Sequence, residues 1–157
     1  MRTGSVERRL EELGIQLGPV PPAVATYVSA KTVGNLVYTS GNDCRIDGVL
    51  MMTGKVGSDL TVEQGYAAAR QVAINLLAVL KEHLGELDRI KQVVKMLAFV
   101  NSADGFTQQP YVINGASDLL VEALGDKGKH ARSAISANEL PFDTPVEIEL
   151  IVEVSEP

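Results

Sequence analysis

The chain has 157 residues, with 14 Lys and Arg against 20 Asp and Glu, and a formal net charge of −6. Apolar residues at 45% and charged residues at 22% match a globular protein, exclude a disordered or low-complexity chain, and lead us to expect one domain over residues 1–157. The single cysteine, Cys44, excludes an intrachain disulfide framework and a Cys-rich zinc site. The negative charge opposes unspecific binding to nucleic acid, and no apolar run approaches the ~20 residues of a membrane span. With one thiol and no apolar segment behind Met1–Ser5, the expected compartment is the cytoplasm.

Residues 1–22 read as a peripheral N-terminal extension. A short helix is expected from Val6 to Leu13, with Ser5 as its N-cap and Gly14 as its stop, and Gly18-Pro19-Val20-Pro21-Pro22 follows as an irregular lead-in. Two strands come next, Thr26–Ser29 and Leu36–Ser40, joined by a hairpin signal at Val33-Gly34-Asn35. Asp47-Gly48, Gly54 and Gly57 punctuate a loop or a short irregular hairpin. The clearest helix starts at a capping box of Thr61 and Gln64. It repeats Ala69, Val72, Ala73, Leu76, Leu80 and Leu84 at helical spacing and stops at Gly85.

Ile90–Asn101 reads as a strand, with Val94, Met96, Ala98 and Val100 on one face and Val93, Lys95, Leu97 and Phe99 on the other. A second helix begins near Pro110, carries Ile113, Ala116, Leu120 and Ala123 on one stripe, and ends at Gly125. Two strands close the chain, Arg132–Ala137 and Val146–Val154. This order predicts an α+β fold, a single mixed sheet with two long helices on one face. Two helices cover only one sheet face, yet the strand Val93–Val100 is apolar on both, apart from Lys95. The uncovered face predicts a homo-oligomer.

Few residues carry chemical signatures. His83 and His130 are the only histidines and make no metal-binding pair, so no metal site is expected. Gly125–Lys129 lacks the spacing and the position of a phosphate loop. Cys44 has no histidine near it in sequence and reads as a buried or incidental thiol. Arg132 is different, because it stands inside a strand of small residues. With Pro145–Glu149 as the partner strand, it would lie near a carboxylate. That arrangement serves equally as a structural ion pair or as a receptor for a small carboxylic acid.

Several stretches resemble the reactive intermediate deaminases, the RidA/YjgF family, also described as L-PSP endoribonucleases or translation inhibitors. They are Tyr27–Ala30, Gly34–Asn42, Ala69–Leu76, Val94–Val100 and Ile113-Asn114. The most specific block runs from Ala131-Arg132-Ser133 through Leu140-Pro141 to Val146-Glu147-Ile148-Glu149. The resemblance implies a chorismate-mutase-like fold assembling as a homotrimer with the sheets inside. It implies hydrolysis of 2-imino acids or their enamine tautomers to 2-keto acids and ammonia, without a cofactor. By position, Arg132 would bind the substrate carboxylate and Glu147 would position or activate water. Tyr27, Gly41 and Asn114 would complete the substrate pocket.

Four departures from the family pattern stand out: Ala134 where cysteine is common, extra residues around Gln108–Val112, Ala25-Thr26 in place of Gly-Pro before Tyr27, and the longer N-terminal segment. They place the chain in a divergent subgroup. The alternative function is a non-catalytic trimer binding small carboxylate metabolites. An endoribonuclease or translation inhibitor is disfavoured by the charge and by the lack of a basic, aromatic-studded strand. No nucleic-acid or membrane partner is expected.

Overall fold

The computed structural model describes residues 4–23 and 25–157; Met1–Thr3 of the expected N-terminal extension lie outside the described residues. Its regular elements are α1 (Ser5–Glu12), β1 (Ala30–Val33), β2 (Leu36–Thr39), β3 (Arg45–Ile46), β4 (Val49–Leu50), α2 (Val62–Leu84), β5 (Ile90–Asn101), α3 (Gln109–Leu124), β6 (Ala131–Ala137) and β7 (Val146–Val154). Five strands make one mixed sheet in the order β1-β2-β7-β5-β6, and β3 and β4 form a separate small hairpin. Only β5 and β6 run parallel. Both long helices pack on one face of this α+β sheet, where Met96, Ala98 and Val100 of β5 and Val146, Ile148, Leu150 and Val152 of β7 are buried with Leu76, Leu80, Ile113 and Leu120 of the helices.

Local chemistry accounts for the long elements. Thr61 and Gln64 close the capping box of α2 reciprocally, with the Gln64 N–H on Thr61 Oγ1 at 3.1 Å and the Thr61 N–H on Gln64 Oε1 at 2.9 Å. Gly85 ends α2 with φ +87°. Helix α3 lies close against α2 because Gly115 has no side chain: a Cβ there would stand 2.0 Å from the Tyr66 carbonyl oxygen.

Four sequence expectations need correction. The first strand is Ala30–Val33, not Thr26–Ser29. Val33 pairs directly with Leu36 around a two-residue turn, so the strand must occupy the residues immediately before that turn. The β-forming character of Thr26–Ser29 is overridden, and Ala25–Tyr27 form a bend. Second, the N-cap position of α1 is Gly4, and Ser5 does not cap it. The cap comes from Asp88, whose carboxylate accepts from the Ser5 and Val6 N–H groups at 2.8 and 2.9 Å.

Third, irregularities in the β5–β7 pairing occur between Ile90 and Gln92 and between Val93 and Lys95. A bulge changes which face the following residues use. Val93 and Met96 are therefore both buried, and Val94 is exposed. Fourth, β6 pairs with β5, not with β7. The sheet face away from the helices carries Tyr38, Ile151, Lys95, Leu97, Glu149, Phe99, Glu147 and Ile135 in register. Tyr38 and Ile135 are 44% and 45% exposed there. The uncovered, largely apolar face anticipated from the strand pattern is present.

Candidate active site

The alternation of β7 sends Val146, Ile148 and Leu150 into the core and leaves Glu147 and Glu149 on the open face. Glu147 is half-buried there. The chain leaving β2 is pinned beside it by paired backbone hydrogen bonds between Asn42 and Ile148, 2.9 and 3.1 Å long. Gly41 consequently lies flat on the Glu147 side chain. A Cβ at position 41 would stand 3.0 Å from the carboxyl carbon and 3.3 Å from Oε2, so any larger residue there must displace the carboxylate.

Tyr27, Gly41 and Glu147 line one cavity of about 420 Å³, together with Pro22, Arg45 and Phe142. Burial pushes the Glu147 carboxyl above the usual glutamate range, and the negative charges of Asp43 and Glu149 push it further. No hydrogen-bond donor among the described residues offsets this. A carboxylate kept short of donors beside a cavity is a stronger base than its solvated counterpart.

The cavity rim includes residues that sequence reasoning missed. Phe142 and Asp143 both adopt left-handed backbone, with φ of +59° and +61°. Consecutive non-glycine residues in that region store roughly 1–3 kcal/mol each and persist only when surrounding contacts hold them. Here the Asn101 amide donates to Asp143 Oδ1 at 3.0 Å, and the Gly54 N–H donates to the Asp143 carbonyl at 2.9 Å. The Arg45 guanidinium lies 4.9 Å from the centre of the Phe142 ring. Arg45 is in turn paired with Asp43 at 3.0 Å. No periodicity or motif marks Arg45 in the sequence, because it sits in the short hairpin between punctuating glycines. Phe142 directly follows the Leu140-Pro141 match, which was its only signal.

Arg132 occupies a different place. It stands opposite Met96 on the helix-facing side of β6. Its Nη1 donates to Ser117 Oγ at 3.0 Å and its Nη2 to the Pro110 carbonyl at 3.3 Å. Pro110, Asn114 and Ser117 share one stripe of α3 at spacings of four and three residues, so Asn114 lies between the two groups that hold the guanidinium. The residues around Gln108–Val112, which depart from the family pattern, thus form the first turn of α3 and supply one of the Arg132 partners.

The structure therefore brings the candidate residues together as two clusters, Tyr27–Gly41–Glu147 and Asn114–Arg132. The expected juxtaposition of Arg132 with a β7 carboxylate is not found within one chain, because β5 lies between β6 and β7. Arg132 and Glu147 are two strand spacings apart across the sheet and three residues apart along it, roughly 14 Å between Cα atoms. Their side chains leave opposite faces. Cys44 is fully buried, with its sulfur 3.7 Å from Thr144 Oγ1, which fits the inert reading of that thiol. His83 is in contact with Thr32 Oγ1 at 2.7 Å and lines a neighbouring cavity that shares Tyr27 but not Gly41 or Glu147. Among the described residues no helix is long and apolar enough to cross a membrane.

Comparison with known proteins places this fold. Residues 7–154 match the family model described as "YjgF/chorismate_mutase-like, putative endoribonuclease". The chain belongs to the YjgF/RidA family. It is 42% identical over 154 residues to the protein TCP17 of Trypanosoma cruzi, covering 98% of this chain and 96% of that one. Among solved structures it is similar to Atu1372 of Agrobacterium tumefaciens, described as of unknown function. That likeness has a TM-score of 0.90 at 43% identity over 96% and 93% of the two chains. It is also similar to RidA of an Antarctic Psychrobacter, with a TM-score of 0.61 at 28% identity over 86% and 94%.

Proposed function

We propose that the protein hydrolyses 2-imino acids, or their enamine tautomers, to 2-keto acids and ammonia at a site shared between subunits of a homotrimer. The observation that carries this reading is Glu147, a half-buried carboxylate with a raised pKa and no donor among the described residues, lining a cavity with Tyr27 and Gly41. In the reaction, Glu147 takes a proton from water as the water oxygen adds to the imine carbon and passes it to nitrogen, giving a carbinolamine. Glu147 then carries the hydroxyl proton to the same nitrogen as the C–N bond breaks, so the carbonyl forms and ammonia leaves. An imine carbon is already electrophilic, so orientation and one proton carrier suffice. The remaining N–H groups of Arg132 grip the substrate carboxylate bidentately, and Asn114 flanks it.

The two clusters explain why a second copy is needed. A substrate carboxylate is adjacent to the imine carbon, so its receptor and the water-activating group must lie within a few ångströms of one another. Roughly 14 Å and a sheet separate them in one chain. Packing the open faces of three copies together would bury Tyr38, Leu97, Phe99 and Ile135, and because β6 is an edge strand, Arg132 could reach around that edge toward Glu147 of the next subunit. Light scattering should give about three times the chain mass of 16.8 kDa. A monomer at micromolar concentration would leave Arg132 and Glu147 without a common substrate and refute the shared site.

Activity itself is tested in a coupled assay. A dehydratase generates imino acids from serine or threonine, semicarbazide traps them, and the protein should suppress the trapped product in favour of free keto acid. Unchanged trapping at high protein concentration would reject the deaminase reading in favour of a carboxylate-binding trimer. The endoribonuclease description is disfavoured by the net charge of −6, because an acidic protein repels a phosphodiester backbone.

A further inference from the structure

We propose that Ser117 and His130 are positioning residues for Arg132, holding its guanidinium through a directional hydrogen-bond chain that closes only when the imidazole carries its proton on Nδ1. This rests on the reading of Arg132 as a carboxylate receptor. The chain can be followed donor by donor. His130 Nδ1 lies 2.6 Å from the Gly128 carbonyl oxygen, which can only accept, so Nδ1 carries a proton. His130 Nε2 lies 3.0 Å from Ser117 Oγ. In a neutral ring Nε2 must then accept, and the Ser117 hydroxyl must donate to it. That orientation turns the Ser117 lone pairs toward Arg132 Nη1, which donates to the oxygen at 3.0 Å.

The alternative acceptor for the Ser117 hydroxyl is Met96 Sδ, at 3.9 Å. A thioether at that distance is a weak competitor for an imidazole nitrogen at 3.0 Å. The ring is neutral for a physical reason as well. Burial holds the His130 pKa below the usual imidazole range, and the Arg132 charge adds to this against the Gly128 hydrogen bond. The result is a polarised series from guanidinium through hydroxyl and imidazole to a backbone carbonyl. It spans α3, β6 and the turn before β6, so it sets the plane of the guanidinium relative to α3. A guanidinium fork grips a carboxylate with both N–H groups only when that plane is right.

The inference is separable from the deaminase reading. Nitrogen NMR on the full-length protein at neutral pH should show the His130 ring protonated on Nδ1 and bare on Nε2. A proton on Nε2, or a doubly protonated ring, would overturn the relay whatever the protein catalyses. In imine hydrolysis, Ser117→Ala and His130→Leu should raise KM about tenfold, in line with loosening one charge-assisted contact, and leave kcat within about twofold. Ser117→Thr keeps the hydroxyl and His130→Gln keeps an acceptor in the place of Nε2, so both should restore KM toward wild type. Melting temperature should not follow this pattern. A folded Ser117→Ala protein with wild-type KM would defeat the proposal. If the wild-type protein neither hydrolyses imines nor binds pyruvate, the receptor role assigned to Arg132 falls, and the positioning role falls with it even where the tautomer is as expected.

Discussion

Replacing Arg132 with lysine is expected to remove most of the affinity for pyruvate and 2-ketobutyrate while leaving the protein folded. The guanidinium is held edge-on to α3 by Ser117 Oγ and the Pro110 carbonyl, so its remaining N–H groups have a fixed direction. Lysine keeps the charge but has neither the planar fork nor the geometry to be held at two points. Each charge-assisted hydrogen bond to a carboxylate contributes ~1.5–3 kcal/mol. Losing two, about 3–6 kcal/mol, weakens binding of the keto acid product at least about a hundredfold, and Arg132→Ala should be no better. The competing role for Arg132 is a strap that ties β6 to α3. On that role, Arg132→Lys lowers the melting temperature and binding survives. Titration with pyruvate alongside a thermal melt separates the two, and wild-type affinity in a folded Arg132→Ala protein would rule out the receptor role.

Glu147→Gln is expected to slow imine hydrolysis by ~10²–10⁴-fold, the usual contribution of a general acid–base group. The same substitution should keep or raise thermal stability at neutral pH. The sign follows from the raised pKa. A carboxyl that ionises less readily in the folded state than in the unfolded chain destabilises the fold as pH rises through that interval, and an amide removes the penalty. In the wild-type protein, kcat/KM should fall on acidification with a midpoint above 4.5, the ordinary glutamate value. Glu149→Gln removes one of the charges that hold the carboxyl up, so it should move that midpoint downward. Unchanged turnover in Glu147→Gln would assign water activation to backbone groups.

The elements most legible in the sequence are those whose signal is local. The capping box at Thr61, the apolar stripe through Leu76 and Leu80, and the strict alternation of β7 each lie within a single element, and α2 and β7 run where their patterns indicate. Misreadings arise where a distant partner decides. The position of β1 is set by its pairing around the Gly34 turn, and the faces of β5 change at a bulge required by β7. Arg132 and β7 are neighbouring segments in the sequence, but the parallel pairing of β6 with β5 carries them apart. For the candidate site, the family resemblance supplied the residue types and their number. It could not supply their division into two clusters, because that depends on strand order. Ser117 and His130 carry no motif and emerge only from the geometry around Arg132.

The Asp88 cap on α1 has a consequence for the order of folding. The acceptor for the first N–H groups of α1 lies 83 positions away from Ser5. Closing a loop of that length costs about 4 kcal/mol of chain entropy from its length-dependent part alone. An eight-residue helix is too short to form ahead of its partner, since isolated helices below ~12–15 residues are marginal in water. Glu7, a second polar anchor of α1, also waits for the same region, through the Leu87 N–H and Lys81. Helix α1 is synthesised before α2, yet it is among the last elements to form. The chain that follows it, which walls the Glu147 cavity at Pro22, settles onto a sheet whose register is already complete.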